Sequence, residues 1–417
     1  MALLVYNTAI FLYILFLKFG AFFNKKASEL VSGRKNWKKK LAAAVSEKGS
    51  WIWMHCASLG EFEQGRPLLE EIKKRHPQYK FLITFYSPSG YTVRKNYEFA
   101  DAVLYMPSDT RANATFFVEQ LKPVLAIFVK YEFWYHHLTQ LHVHHVKSIL
   151  ISAAFRKEQP FFKWYGGLFR KLLFQFNALF VQDNPSAKLL QEIGVKENVF
   201  VTGDTRYDRV AEIAGETIKI DEAAFFLGGS KALIAGSTWP EDEKMIFNCL
   251  AVLPDEWKLI VAPHELSLSH LKFIEDLFGD RMIFYSRLKN DLKGNDKKVL
   301  VIDNIGMLSS LYAYGSIAFV GGGFQRGGIH NILEPAIFGA PVLFGPNYQK
   351  FTEVQEMKDS GFAFPVNNAE ECKRVLQHLV QDGPGLVKLN NSIKKYIHTK
   401  TGATASITQH ITRSGWV

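Results

Sequence analysis

The sequence predicts two doubly wound, Rossmann-like α/β domains facing a cleft, behind an N-terminal membrane-anchoring segment. Three observations support this. Short apolar runs alternate with amphipathic stretches, the runs fall into two series separated by a strand-poor region, and a long apolar run opens the chain. With 417 residues, two or three cores are expected. A composition 47% hydrophobic and 22% charged excludes a largely disordered protein.

The first element is Leu3–Phe23, apolar except for Asn7, Thr8 and Lys18. About 20 apolar residues span a bilayer, so the stretch reads either as a span or as a helix lying at the interface. Cations follow it rather than precede it, unlike a cleaved signal peptide. The first fifty residues carry nine cations, including Lys48, against Glu29 and Glu47. They account for +7 of the net +10. Charge so localised argues against a nucleic-acid footprint and for a cytoplasmic body held at the inner membrane. The tract Gly33–Lys40 reads as a basic linker. Three scattered cysteines, Cys56, Cys249 and Cys372, exclude a disulfide framework and fit a reducing compartment.

The first strand series is Trp51–Ala57, Phe81–Tyr86, Ala102–Met106, Val124–Val129, Ser148–Ser152 and Ala178–Gln182, with helices such as Gln64–Arg75 and Ala112–Leu121 between. Such alternation implies right-handed crossovers and a parallel sheet. Phe161–Phe176 interleaves Lys163, Arg170 and Lys171 with aromatics, reading equally as a lipid-contacting rim or as a partly buried helix with outward cations. Asp208–Ser230 lacks strand signals and reads as a hinge. The second series covers 232–237, 258–263, 282–286, 299–303, 316–321 and 340–345. The expected division is 1–26 anchor, 27–215 first domain and 216–417 second domain, with the last helix free to pack back on the first. The pattern alone suits a dehydrogenase, an epimerase or a sugar transferase equally, with ligands at the carboxyl ends of the strands.

Three places carry chemistry. Glu61 follows the first strand, where a carboxylate serves either as a general base or as a helix cap. Gly236-Ser237-Thr238-Trp239-Pro240-Glu241 follows a strand of the second series. Thr238 and Glu241 have capping-box spacing, and free N–H groups with two hydroxyls suit a phosphate or a plain cap. Phe319–Pro346 places Gly321, Gly322, Gly323, Gly327 and Gly328 before a helix expected to open at Asn331. It matches neither the dinucleotide fingerprint nor a phosphate-binding GK[ST] loop. Glu334 there serves as a cap or accepts hydrogen bonds from ribose. His136, His137, His142, His144 and His145 match no metal-site spacing and read as a partly exposed helix and turn.

These residues carry a resemblance. Ala57-Ser58-Leu59-Gly60-Glu61, Ser87-Pro88-Ser89-Gly90, Glu132-Phe133-Trp134 and Gly203–Asp208 stand in order before Gly236-Ser237-Thr238, Gly327–Pro335 and Pro341–Pro346. Together they resemble the Kdo (3-deoxy-D-manno-octulosonic acid) transferases of lipopolysaccharide assembly, which are GT-B glycosyltransferases. The resemblance implies inverting transfer of Kdo from CMP-Kdo to a lipid A precursor without metal or cofactor, Glu61 acting as general base. It assigns the donor to Ser237, Thr238, His264, Gly328, His330, Asn331 and Glu334. It assigns the acceptor to Ser58, Gly60, Ser89, Gly90, Glu132 and Arg206. The family's arginine in A-P-R-H-P-E-R is absent from Ala262-Pro263-His264-Glu265, making His264 the substitute. Ser152–Arg156 departs from N-A-R-L-S, and Tyr135 replaces a proline. The rival readings are a GT-B transferase using a UDP-sugar on a lipid acceptor, such as a lipid A disaccharide synthase or the peptidoglycan GlcNAc transferase, and a non-catalytic glycolipid binder.

Overall fold

The structure, a computed structural model, describes residues 1–47, 49–291 and 296–417; Lys48 lies outside the described residues. The chain divides into two compact units, Met1–Arg209 with Lys400–Val417, and Val210–Thr399. The division falls inside the helix Thr205–Gly215.

The first unit begins with three helices, α1 (Ala2–Gly20), α2 (Lys25–Gly33) and α3 (Trp37–Ala44). The basic tract is therefore not a linker. Leu30 and Leu41 are buried, and Trp37 meets Phe116 edge-on at 5.6 Å. Trp37 and Leu41, one turn apart, point inward, while the ammonium of Lys38 lies over the Phe116 ring at 4.7 Å.

Seven parallel strands form the first sheet: β1 (Ser50–Cys56), β2 (Tyr79–Phe85), β3 (Ala102–Tyr105), β4 (Leu125–Val129), β5 (Lys147–Ala153), β6 (Ala178–Val181) and β7 (Val199–Val201). Their order is β3-β2-β1-β4-β5-β6-β7. The chain winds outward from β1 and then returns to β4, so β1 and β4 flank the topological switch point. Helices α4 (Leu59–Arg75), α5 (Pro88–Arg94), α6 (Arg111–Leu121) and α7 (Tyr135–Val143) follow β1, β2, β3 and β4. Helix α4 starts five residues before the expected Gln64, which puts Pro67 in its interior rather than near its start.

The second sheet comprises β8 (Lys231–Thr238), β9 (Trp257–Pro263), β10 (Met282–Phe284), β11 (Val299–Val301), β12 (Gly315–Val320), β13 (Val342–Phe344) and β14 (Ala363–Pro365). The order is β10-β11-β9-β8-β12-β13-β14, all parallel, with its switch point between β8 and β12. Each sheet is apolar on both faces, as burial under helices on both sides requires. Strands β7 and β14, three residues each at sheet edges, were not in the predicted series; a run so short has no period to read.

Phe161–Phe176 is partly buried, as one of its two readings expects. Phe161, Leu172, Leu173 and Phe176 enter the core, whereas Trp164 and Tyr165 are exposed on the connecting turn. The C-terminal helix Ala403–Arg413 belongs to the first unit. The Asp208 carboxylate accepts the N–H groups of Gly402 (2.5 Å) and Thr404 (2.7 Å), and Ile407 and Ile411 join the core under β1 and β4. Ile407→Ala is therefore expected to weaken the first unit by ~2–4 kcal/mol in denaturant unfolding. An unchanged midpoint would show that the returning helix only decorates the surface.

Candidate functional site

In the first unit the candidate residues collect at the carboxyl ends of the strands. The turn from β1 into α4 is capped by Ser58, whose hydroxyl accepts the Glu61 N–H at 3.5 Å. The Glu61 carboxylate reaches back to accept the Ala57 N–H at 2.5 Å. Ser58 is thus the cap, and the Glu61 bond, made to the residue ahead of it, aims the carboxylate at the strand end. An ideal Cβ on Gly60 would meet nothing within 4 Å, so the turn is open to solvent there. Gly90 differs: a Cβ would run into the Phe85 ring, so its smallness serves packing. Ser89 is exposed, its hydroxyl 2.9 Å from that of Ser87.

Across the switch point, β4 ends at Val129 and the chain turns through Lys130, held at φ +70°, to Glu132. Glu132 is 8% exposed and accepts the Trp134 indole N–H at 2.6 Å. Its other partner is His55, the one histidine of β1, fully buried, with Nε2 2.9 Å from Glu132 Oε2. His55 Nδ1 lies 2.9 Å from the Thr84 hydroxyl and 3.1 Å from the Thr84 carbonyl oxygen, so both ring nitrogens are engaged. Trp134 stacks on Tyr86 at 4.9 Å and Arg34 covers the same ring. Neither His55 nor Thr84 was among the predicted site residues. The signal was a single histidine in the otherwise apolar run Trp51–Ala57.

Two carboxylates thus share one site. Burial and the charge of Glu132 push Glu61 up to about 7, against the lowering effects of the Ala57 N–H, His55 and Lys130. A carboxyl poised there is half ionised near neutrality, as a general base requires. Arg206 is on the same unit, its guanidinium bonded to Asp204 at 2.7 and 2.9 Å. Burial acts to raise Asp204, but Arg206 outweighs it and holds the carboxyl below its usual range.

In the second unit, β8 ends in a bulge at Ser237, a half-buried non-glycine residue at φ +52°. Such strain persists only where its surroundings impose it. Thr238 is fully buried and its hydroxyl donates to Glu243 at 2.8 Å. The expected Thr238–Glu241 capping box is not formed. The cap is one residue later: Asp242 accepts the Trp239 N–H at 3.0 Å, since Thr238 is still part of the strand. Asp242 also accepts the Gly322 N–H at 3.0 Å, tying β8 to the glycine loop, and burial pushes its carboxyl up to about 6.

That loop packs tightly. A Cβ on Gly323 would lie 2.5 Å from the Gly345 backbone, and Gly322 is at φ +88° beside the His330 ring. His264 stacks between Trp239 (4.9 Å) and His330 (4.4 Å). Burial and the adjacent His264 lower His330 to about 4, so it is neutral at pH 7. The helix expected from Asn331 is a single turn, Leu333–Ala336, after which the bonds tighten to one residue shorter and the chain leaves at Gly339, φ +94°. The exposed Asn331 accepts the Leu333 N–H at 3.0 Å and donates to Glu334 at 3.1 Å. Gly328, at φ +87°, sits at the loop's outer bend. Ser237, His264, Gly328, His330, Asn331 and Glu334 are therefore all at the carboxyl ends of β8, β9 and β12 or on the loop that follows.

The histidine tract is not uniformly exposed. His136 and His137 are buried, while His142, His144 and His145 are exposed. The burial follows from Asp109, whose carboxylate accepts the backbone N–H groups of His136 (2.9 Å) and His137 (3.0 Å) and contacts His137 Nδ1 at 2.5 Å. Among the described residues no three His, Cys, Asp or Glu side chains converge as a metal site.

Residues 35–209 match the family described as 3-deoxy-D-manno-octulosonic-acid transferase (kdotransferase). The 3-deoxy-D-manno-octulosonic acid transferase of Aquifex aeolicus is 28% identical over 338 residues, covering 79% of this chain and 86% of that one. Among solved structures, the UDP-GlcNAc 2-epimerase of Neisseria meningitidis superposes with TM-score 0.61 at 17% identity, over 87% of this chain and all of that one. MurG of Acinetobacter baumannii superposes with TM-score 0.56 at 11% identity, over 88% and 100%. The two parallel-sheet domains are thus those of a GT-B fold, and the resemblance to the Kdo transferases is borne out.

The raised Glu61 has a stability consequence. A carboxyl that binds its proton more tightly when folded destabilises the fold as pH rises from about 4.5 through about 7. Glu61→Gln is expected to match the wild type near pH 4 and to exceed its stability by ~1–3 kcal/mol at pH 8. Equal stability at both pH values would place Glu61 in an ordinary solvated environment.

Proposed function

We propose that this chain, a relative of the Kdo transferases over most of its length, transfers Kdo from CMP-Kdo to a sugar hydroxyl of a lipid A precursor, with inversion, at the cytoplasmic face of the inner membrane. The observation that carries the reading is Glu61: a carboxyl at the mouth of the first unit, raised to about 7 by burial and by Glu132.

The acceptor hydroxyl binds at the open turn beside Ser58, Gly60 and Ser89, and Glu61 removes its proton as the oxygen attacks the anomeric carbon of Kdo. One C–O bond forms, the bond from that carbon to the CMP phosphate oxygen breaks, and the electron pair leaves with CMP. The transition state carries positive charge on the sugar ring. Glu132, bonded to His55 and Trp134, stabilises that charge and keeps Glu61 basic enough to accept the proton. The second unit holds the donor. Ser237 and the N–H groups of the glycine loop receive the phosphate, with His264 and His330 beside it. Glu334, oriented by Asn331, accepts hydrogen bonds from the ribose. Thr238 supports this site through Glu243 instead of donating to the phosphate. Arg206 supplies positive charge to the acceptor's phosphate groups from its anchored position on Asp204.

Incubation with CMP-Kdo and a phosphorylated, acylated glucosamine disaccharide in detergent tests the reading. Product mass should increase by Kdo, and the rate should rise with pH across about 7 as Glu61 ionises. Glu61→Gln should lose turnover ~10²-fold or more with donor binding retained. Turnover only with a UDP-sugar donor would contradict the proposal, and an unaltered function in the variant would assign the chain to non-catalytic glycolipid binding.

A further inference from the structure

Helix α1 is apolar and long enough to cross a membrane, yet one of its faces is occupied along almost its full length. Its half-buried residues are Tyr6, Ile10, Ile14, Leu17, Gly20 and Ala21, with spacings of three and four that define a single stripe. None of its residues is fully buried, so the helix rests on the first unit and does not enter its core.

The stripe is fastened at its start and its end. Near the start, the Tyr6 hydroxyl donates to the buried Asp109 carboxylate at 2.5 Å and accepts the Tyr135 N–H at 3.3 Å; the side chain of Asn7 lies 2.7 Å from His136 Nε2. In the middle, Tyr13 approaches Tyr86. At the end, Gly20 lies against Ala27 of α2, 4.0 Å from an ideal Cβ to the Ala27 Cβ. From Tyr6 to Gly20 is about 21 Å at 1.5 Å per residue. A helix in contact with the folded unit over that length cannot also cross ~30 Å of hydrocarbon at a steep angle without drawing Asp109, His136 and α2 into it.

The opposite face is exposed. Leu4, Val5, Phe11, Phe16 and Phe19 are each more than half exposed. Exposed lysines continue from its end: Lys18, Lys25, Lys26, Lys35, Lys38 and Lys39, with Glu29 the one acidic side chain in α2 and α3. An apolar helix face bordered by cations matches the acyl and headgroup layers of an anionic bilayer.

We propose that α1 does not cross the membrane: it lies in the membrane plane as a helix docked on the first unit, its outward face in the acyl–headgroup boundary of an anionic leaflet. This rests on the proposed membrane-lipid acceptor and adds what that reading left open. Asp109 also caps α7, which begins three residues after Glu132, so the docked helix fixes the height of the Glu61–Glu132 site above the lipid.

Single cysteines at Leu4→Cys, Phe11→Cys and Phe19→Cys test this in the full chain, because native Cys56, Cys249 and Cys372 are buried. Each is labelled with an environment-sensitive fluorophore and bound to phosphatidylethanolamine–phosphatidylglycerol vesicles containing shallow or deep nitroxide lipids. The expected result is one shallow depth, ~5–10 Å below the headgroups, for all three labels. A deep Phe11 label with the two ends near opposite surfaces would overturn the inference and leave the membrane reading standing. Unquenched labels on a chain that fails to float with vesicles would overturn both, and unquenched labels on a chain that dimerises would assign the face to a second copy.

Discussion

Two carboxylates of one unit, Glu61 and Glu132, interact at the ends of adjacent strands, and the chemistry depends on their mutual repulsion. A helix cap normally stabilises an ionised carboxylate, and the Ala57 N–H acts in that direction. Burial and the second negative charge outweigh it. The result is a carboxyl raised to about 7, substantially ionised yet readily protonated near neutral pH. Doubly wound topology creates this pairing, because strands adjacent at the switch point lead into divergent loops. Residues 61 and 132 are remote in sequence but emerge side by side.

The second unit uses its own switch point differently. Between β8 and β12 stand a strained Ser237, a buried Asp242 bridging the cap to the glycine loop, and glycines that let two backbones meet. There the Gly321 and Gly322 N–H groups are taken by Gly236 and Asp242, which fixes the loop against the end of β8.

Much of this was legible in the sequence. The strand runs were visible because both faces of each sheet are buried, leaving continuous apolar segments such as Phe81–Phe85. Glu61 and the glycine loop stood out because loops after strands rarely combine such residues. What escaped was non-local. His55 was hidden in an apolar strand until Glu132, 77 residues away, was seen to bond it. The burial of His136 and His137 depends on Asp109, which has no local signature. Caps were misplaced by a residue or two at Trp239 and Asn331, because Ser, Thr, Asn and Asp offer several alternative local bonds and only the backbone path selects one. The basic tract misled because lysines outnumber Trp37 and Leu41, although those two decide which way α3 faces.

The most direct test of the account is a titration of Glu61 by carbon NMR on the full chain carrying δ-carboxyl-labelled glutamate, its signal identified by disappearance in Glu61→Gln. The account predicts a midpoint near 7 that falls toward the ordinary glutamate range in Glu132→Gln. A midpoint near 4.5 in the wild type, or one indifferent to Glu132, would contradict it.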